Sequence, residues 1–216
     1  MKLFLNHLLL RHWDAFLASA VCCIWIAFYT SRGGIGISPD SVAYLSSANH
    51  FATNFLFSDY NNLPLVNFPI GYPFFLGIIK LVSGADLLVI APYLNGFLLA
   101  SVLYAVSFLL TEAGIKSGGF RTLILCFILS NPGMLEVYSM LWSETLFLLL
   151  GLFFVIVFVR YQKTSSLSLL LWAALIGSAT GLVRYVGITW LITGSILILL
   201  NADLYWKTKI KHVFLF

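Results

Sequence analysis

Apolar residues run through this chain in long blocks separated by short polar breaks, without the two-residue alternation of a membrane barrel strand. The first block covers 14–30. A mixed stretch with Gly33, Gly34, Gly36 and Pro39 follows and stays only moderately apolar as far as Phe68. Residues 69–82 are apolar but short, with Pro73 near their start, and the pattern predicts an interfacial or re-entrant helix there. Further blocks lie at 87–110, 122–137, 145–159, 169–183 and 187–200. One helical crossing takes about 20 apolar residues, and the shorter blocks become adequate once their flanking aromatic and polar residues are counted. The expectation is an all-α polytopic membrane protein: about six transmembrane helices, with short juxtamembrane helices in a first external loop at 31–86. Residues 1–216 then form a single transmembrane domain.

Composition agrees with that pattern. Of the 216 residues 61% are hydrophobic and 9% charged, with a mean hydropathy of +0.98, far from the roughly 25% charged residues of a soluble domain. The net charge of +4 is no nucleic-acid signal, because membrane proteins gather Lys and Arg on the cytoplasmic side. With a cytoplasmic N-terminus and 69–82 not crossing, Lys2, Arg11, Lys116, Arg121, Arg160, Lys163, Lys207, Lys209 and Lys211 fall inside, nine of the twelve. Asp40, Asp59, Asp86, Glu136 and Glu144 then lie outside, which makes the outer face the place to look for chemistry. The N-terminal segment reads as an uncleaved first helix, since bulky Trp25, Phe28 and Tyr29 close its core where a cleavage site needs small residues. Cys22, Cys23 and Cys126 sit in apolar blocks and suggest neither a disulfide framework nor a metal site. His12 and His50 lack partners at ligand spacing.

Four stretches carry candidate chemistry. Ser38-Pro39-Asp40 predicts a capped helix start with Asp40 in its first turn and Tyr44 one turn later on the same face. Asp40 there either complements the helix dipole or acts chemically. Pro69-Ile70-Gly71-Tyr72-Pro73 is a turn leading into an amphipathic helix, either an aromatic boundary or a closure over a cavity. Ser143-Glu144 opens a span: a solvated acid under a Ser143 cap, or a carboxylate facing the bundle. Arg184, between two apolar runs at the outer boundary, either snorkels to headgroups or binds a phosphate with its planar fork.

In this order the four stretches resemble the N-terminal half of the GT-C membrane glycosyltransferases, the superfamily of the protein O-mannosyltransferases and of the bacterial aminoarabinose transferase acting on lipid A. The likeness covers roughly residues 17–200 on short, degenerate motifs: Asp40 with Tyr44, then Pro69, Gly71, Tyr72 and Pro73, then Glu144. Two features depart from it. Many members carry paired acids where Asp40 is followed by Ser41, and relatives often place a basic residue or His before the turn where this chain has Asn67 and Phe68. The family's greater length makes the chain read as a fragment or a truncated homologue.

The resemblance implies an inverting transfer of sugar from a polyprenyl-phosphate donor to a lipid, glycan or protein hydroxyl. The reaction would take place on the extracytoplasmic side of a membrane, the bacterial inner membrane in the nearest case. Asp40 is then the general base and Arg184 the phosphate ligand. Glu144 orients the acceptor or helps hold a divalent cation, Mg or Mn, and Tyr44 and Tyr72 contact substrate. The rival expectations are a transporter or flippase component, which would carry mid-depth ionisable residues and matched broken helices, and a non-catalytic scaffold.

Overall fold

The computed structural model describes residues 12–216. The basic N-terminal stretch with Lys2 and Arg11 lies outside them. Among the described residues the chain is all-helical, with two isolated backbone bridges and no strand. In order, the helices are α1 (Trp13–Thr30), α2 (Pro39–Asn54), α3 (Gly71–Ser83), α4 (Leu87–Glu112), α5 (Gly118–Leu129) and α6 (Pro132–Ser139). There follow α7 (Glu144–Thr164), α8 (Leu167–Val183), a 3₁₀ turn (Tyr185–Gly187), α9 (Ile188–Leu200) and α10 (Trp206–Leu215).

Three of these, α1, α4 and α7, are long and apolar enough to cross a bilayer; α5 and α6 make a fourth if the bent pair counts as one span. Large apolar side chains on the bundle's outer surface, such as Phe28 at 80% exposure and Phe127 at 76%, suit a lipid surround better than water. The block expected to span continuously at 122–137 is broken instead: α5 and α6 meet at 61°. Asn131 causes the break. Its Oδ1 accepts from the backbone N–H of Gly133 and Met134 at 2.9 and 3.2 Å, and Pro132 occupies the first helical position, where its missing N–H costs nothing.

The 31–86 loop folds into α2 and α3, packed on each other. As its sequence predicts, α2 starts under a Ser38 cap, whereas α3 starts at Gly71, two residues later than the apolar block. The main core lies where α1, α4 and the α6–α7 joint meet, around Leu98, Leu99, Leu103, Tyr138 and Leu141. A smaller cluster, with Phe154, Phe158, Leu170 and Ile198, joins α7, α8 and α9.

Two polar devices lock this apolar bundle. Asn95 of α4 donates from its amide to the carbonyls of Tyr138 and Met140 at 2.9 and 2.8 Å, which would otherwise be left unpaired at the end of α6. At the other end of α1, Arg121 Nε lies 3.0 Å from Asp14 Oδ2, with the Asp14 side chain fully buried. Ser107 Oγ donates to the same carboxylate oxygen at 3.1 Å and lies 2.9 Å from His12 Nδ1, and Arg121 Nη1 donates to Thr111 Oγ1 at 2.7 Å. Three helices are thereby tied by one buried pair.

Removing one member of such a pair strands the other without water. Arg121→Met alone should therefore lower stability by about 3–5 kcal/mol, while Asp14→Leu/Arg121→Met should recover most of the loss. Thermal unfolding of the three purified proteins in one detergent checks this; equal melting points for the single and double variants would refute it.

Candidate functional site

The site is built around a short backbone pairing between segments about a hundred residues apart. Gly36 N–H donates to Ser139 C=O at 2.8 Å, and Leu141 N–H donates to Gly36 C=O at 3.0 Å. A Cβ at position 36 would stand 3.2 Å from the Ser139 carbonyl oxygen and collide with the Met140 side chain, so the close approach asks for glycine. The start of α2 is fastened to the same segment. Ser38 and Ser41 form a reciprocal capping box, Ser41 N–H to Ser38 Oγ at 3.3 Å and Ser38 N–H to Ser41 Oγ at 3.0 Å. Each hydroxyl also reaches across: Ser41 Oγ donates to Leu141 C=O at 2.9 Å, and Trp142 Nε1 donates to Ser38 Oγ at 2.9 Å. Asp40, between the two serines, therefore rides on a helix end held against the segment that opens α7.

The junction leaves no place for a second acid directly after Asp40. Ser41 is fully buried and faces a carbonyl oxygen. A second carboxylate there would set two acceptors against each other without water, a loss of about 1–3 kcal/mol or more.

Arg184 arrives from the other side. It sits in extended backbone between α8 and the 3₁₀ turn, its N–H bonded to Thr180 C=O at 2.9 Å and its C=O to Gly187 N–H at 2.8 Å. Gly71, the glycine of the Pro-rich turn, packs so closely on this hairpin that a Cβ would lie 2.5 Å from Leu182 O and 2.8 Å from Val183 N. The turn that opens α3 thus braces the backbone just ahead of Arg184.

The side chains converge on Ser143. Arg184 Nη1 donates to Ser143 Oγ at 3.1 Å and forms an ion pair with Glu144 Oε1; the Tyr44 hydroxyl lies 3.4 Å from the same serine oxygen. Of the two readings of Ser143-Glu144, the one with a Ser143 cap fails: Ser143 makes no capping bond and faces the arginine instead. Asp40, Tyr44, Asn67, Ser143, Arg184 and Tyr185 line a cavity of about 260 Å³. A second, of about 210 Å³, lies beside it, and Asp40 and Asn67 border both; Asp59 and Tyr60 face the second.

Of the residues singled out from sequence, Asp40, Tyr44 and Arg184 thus share one cavity. Glu144 does not line that cavity and is engaged by Arg184. Tyr72 does not reach it either: it is 1% exposed and packs edge-on against Tyr44, ring centroids 5.2 Å apart, as part of the wall. Burial pushes the phenols of Tyr44 and Tyr72 above their ordinary values, so both stay protonated near neutrality and act as hydrogen-bonding groups without charge.

The sequence shows Ser143 and Gly71 in local roles only, not as the contacts that assemble the site. Ser143 was legible only as a helix cap, and Gly71 only as part of a turn; their partners lie 41 or more residues away along the chain. Among the described residues no three of His, Cys, Asp and Glu gather to hold a metal ion. With Glu144 given to Arg184, the donor set does not compose a protein cage for a divalent cation.

Comparison with known proteins adds nothing: no family model, no curated protein and no solved structure matches the chain.

Ser41→Asp should melt at a lower temperature than Ser41→Ala, because alanine only removes a hydrogen bond whereas aspartate adds a carboxylate facing a carbonyl. Circular dichroism melts of both variants beside the parent protein test this. An aspartate variant as stable as the alanine one would mean that this junction is open to water.

Proposed function

We propose that this chain is a membrane glycosyltransferase of GT-C type, moving a sugar from a polyprenyl-phosphate donor to an acceptor hydroxyl on the extracytoplasmic side. The observation that carries the reading is that a carboxylate, Asp40, and a guanidinium, Arg184, line one cavity at the 31–86 end of the bundle.

The membrane arrangement behind it has six crossings: α1, α4, the bent pair α5–α6, α7, α8 and α9. Contacts between helix ends support this alternation. Ends that it places outside touch one another, Gly36 with Ser139 and Tyr44 with Ser143 and Arg184. So do ends that it places inside, Asp14 with Arg121 and Phe108 with Arg160. The excess of Lys and Arg on the second set makes that side cytoplasmic.

The chemistry divides between the two charged groups. The acceptor hydroxyl enters beside Asp40, which takes its proton as the oxygen attacks the anomeric carbon from the face opposite the phosphate. The bond between that carbon and the phosphate oxygen breaks, and its electron pair leaves on the phosphate, so configuration inverts. Arg184 meets the developing charge. Its Nη1 is held by Ser143 and Glu144, while Nη2 and Nε have no partner among the described residues and are available to phosphate oxygens. A pair with both side chains 34% exposed contributes about 1 kcal/mol or less to stability, so the contribution of Glu144 is positional: it orients the fork. Tyr44, uncharged and at the cavity wall, can donate to the sugar or the phosphate. No step is routed through a cation.

Two variants test the assignment in proteoliposomes with a polyprenyl-phosphate sugar donor. Asp40→Asn should cut transfer by about 10² to 10⁴ while leaving membrane insertion and donor binding unchanged; an undiminished rate removes Asp40 as the base. Arg184→Ala should weaken binding of a short polyprenyl monophosphate by about ten- to a hundredfold, the worth of hydrogen bonds to a charged group. Unchanged affinity in that variant would take the phosphate away from Arg184.

A further inference from the structure

At the end of the bundle away from Asp40, α4 and α7 run parallel and finish side by side, leaving a crevice of about 440 Å³ between them. Its walls are Val106, Leu109 and Leu110 of α4 and Val159 of α7, almost wholly apolar, and its mouth carries Glu112 and Lys163. These two are both exposed, and neither forms an ion pair or side-chain hydrogen bond with any described residue. Arg160, one turn before Lys163, is already engaged, its guanidinium 4.9 Å from the ring centroid of Phe108. The mouth is thus a negative post on one helix and a positive post on the other, above an apolar slot.

The two helix ends sharpen this asymmetry. Carbonyls exposed at a helix C-terminus favour a cation, usually supplied by a Lys or Arg in the last turn. The last turn of α7 has Lys163, but that of α4 has no basic residue and ends on Glu112. The end of α4 therefore carries an unpaired carboxylate beside a negative dipole end, and the guanidinium that reaches its last turn, Arg121's, is committed to Thr111 and to the buried Asp14. A ligand that fits must bring an apolar tail, an anion for Lys163 and a cation for Glu112.

We propose that this crevice binds one phospholipid whose headgroup carries both a phosphate and a primary ammonium, a phosphatidylethanolamine. An acyl chain lies along Val106, Leu110 and Val159, the phosphate meets Lys163, and the ammonium donates to Glu112. A quaternary choline headgroup has the same charges but no N–H to donate, and a glycerol headgroup has no cation, so the carboxylate discriminates among the three. The site lies apart from the Asp40 cavity and does not depend on the reading of that cavity.

Native mass spectrometry of the detergent-purified protein, titrated with dioleoyl phosphatidylethanolamine, phosphatidylcholine or phosphatidylglycerol, tests this. Retention should favour ethanolamine over choline by roughly three- to tenfold, the size expected for one partly exposed charged contact. Glu112→Gln should abolish that preference, and Lys163→Gln should weaken both phospholipids alike. Both positions are exposed, so neither variant should disturb folding, which unchanged melting curves would document. Equal retention of ethanolamine and choline lipids, a preference that survives Glu112→Gln, or tightest binding of phosphatidylglycerol would each overturn the proposal.

Discussion

The pairing of Gly36 with the segment around Met140 is the constraint on which the candidate site depends. It takes two hydrogen bonds and is possible only because position 36 has no side chain. Everything that brings Asp40 near Arg184 is downstream of it. It sets the start of α2 beside the entry to α7, and the Ser38–Ser41 box then converts this proximity into a fixed orientation by bonding both to itself and to residues 141 and 142. An apolar bundle offers little directional information, since hydrophobic contact is indifferent to rotation. Direction here comes from a few buried polar groups that must be satisfied.

The same economy holds elsewhere in the molecule. Asn95 satisfies two carbonyls at the α6 end, Asp14 and Arg121 satisfy each other across α1 and α5, and Ser143 is shared by Tyr44 and Arg184. Each joins segments distant in sequence. Close backbone contacts at two glycines do the complementary work: Gly187 packs on Thr180 and Gly181 to close the α8–α9 turn, and Gly71 lets the start of α3 approach that turn at Leu182 and Val183.

How much of this was legible in the chain follows from range. Helix starts are local, so Ser38-Pro39 announced α2, and the apolar blocks at 14–30, 87–110 and 145–159 correspond to α1, α4 and α7. The break at Asn131-Pro132 is equally local, but averaging hydropathy over 122–137 hid a cap and a helix-starting proline inside an apolar run. The partner of a charge is not local at all. Asp14 and Arg121 stand 107 residues apart, and nothing in either neighbourhood names the other. For the candidate site, the identities of Asp40, Tyr44 and Arg184 stood out as polar residues in costly places, whereas the removal of Glu144 and Tyr72 from the cavity surface could be seen only once the helices were assembled.

The shortness of α8 and α9 has a mechanical consequence in the six-crossing arrangement. Seventeen residues of α helix rise only about 26 Å, and the 3₁₀ turn with α9 about the same, against a hydrocarbon thickness near 30 Å. Lipid beside this hairpin has to thin or dimple to meet its tip. Arg184 sits at that tip, so in that arrangement the dimple would carry the headgroup layer down to the guanidinium, and the elasticity of the surrounding bilayer would set how near the two come.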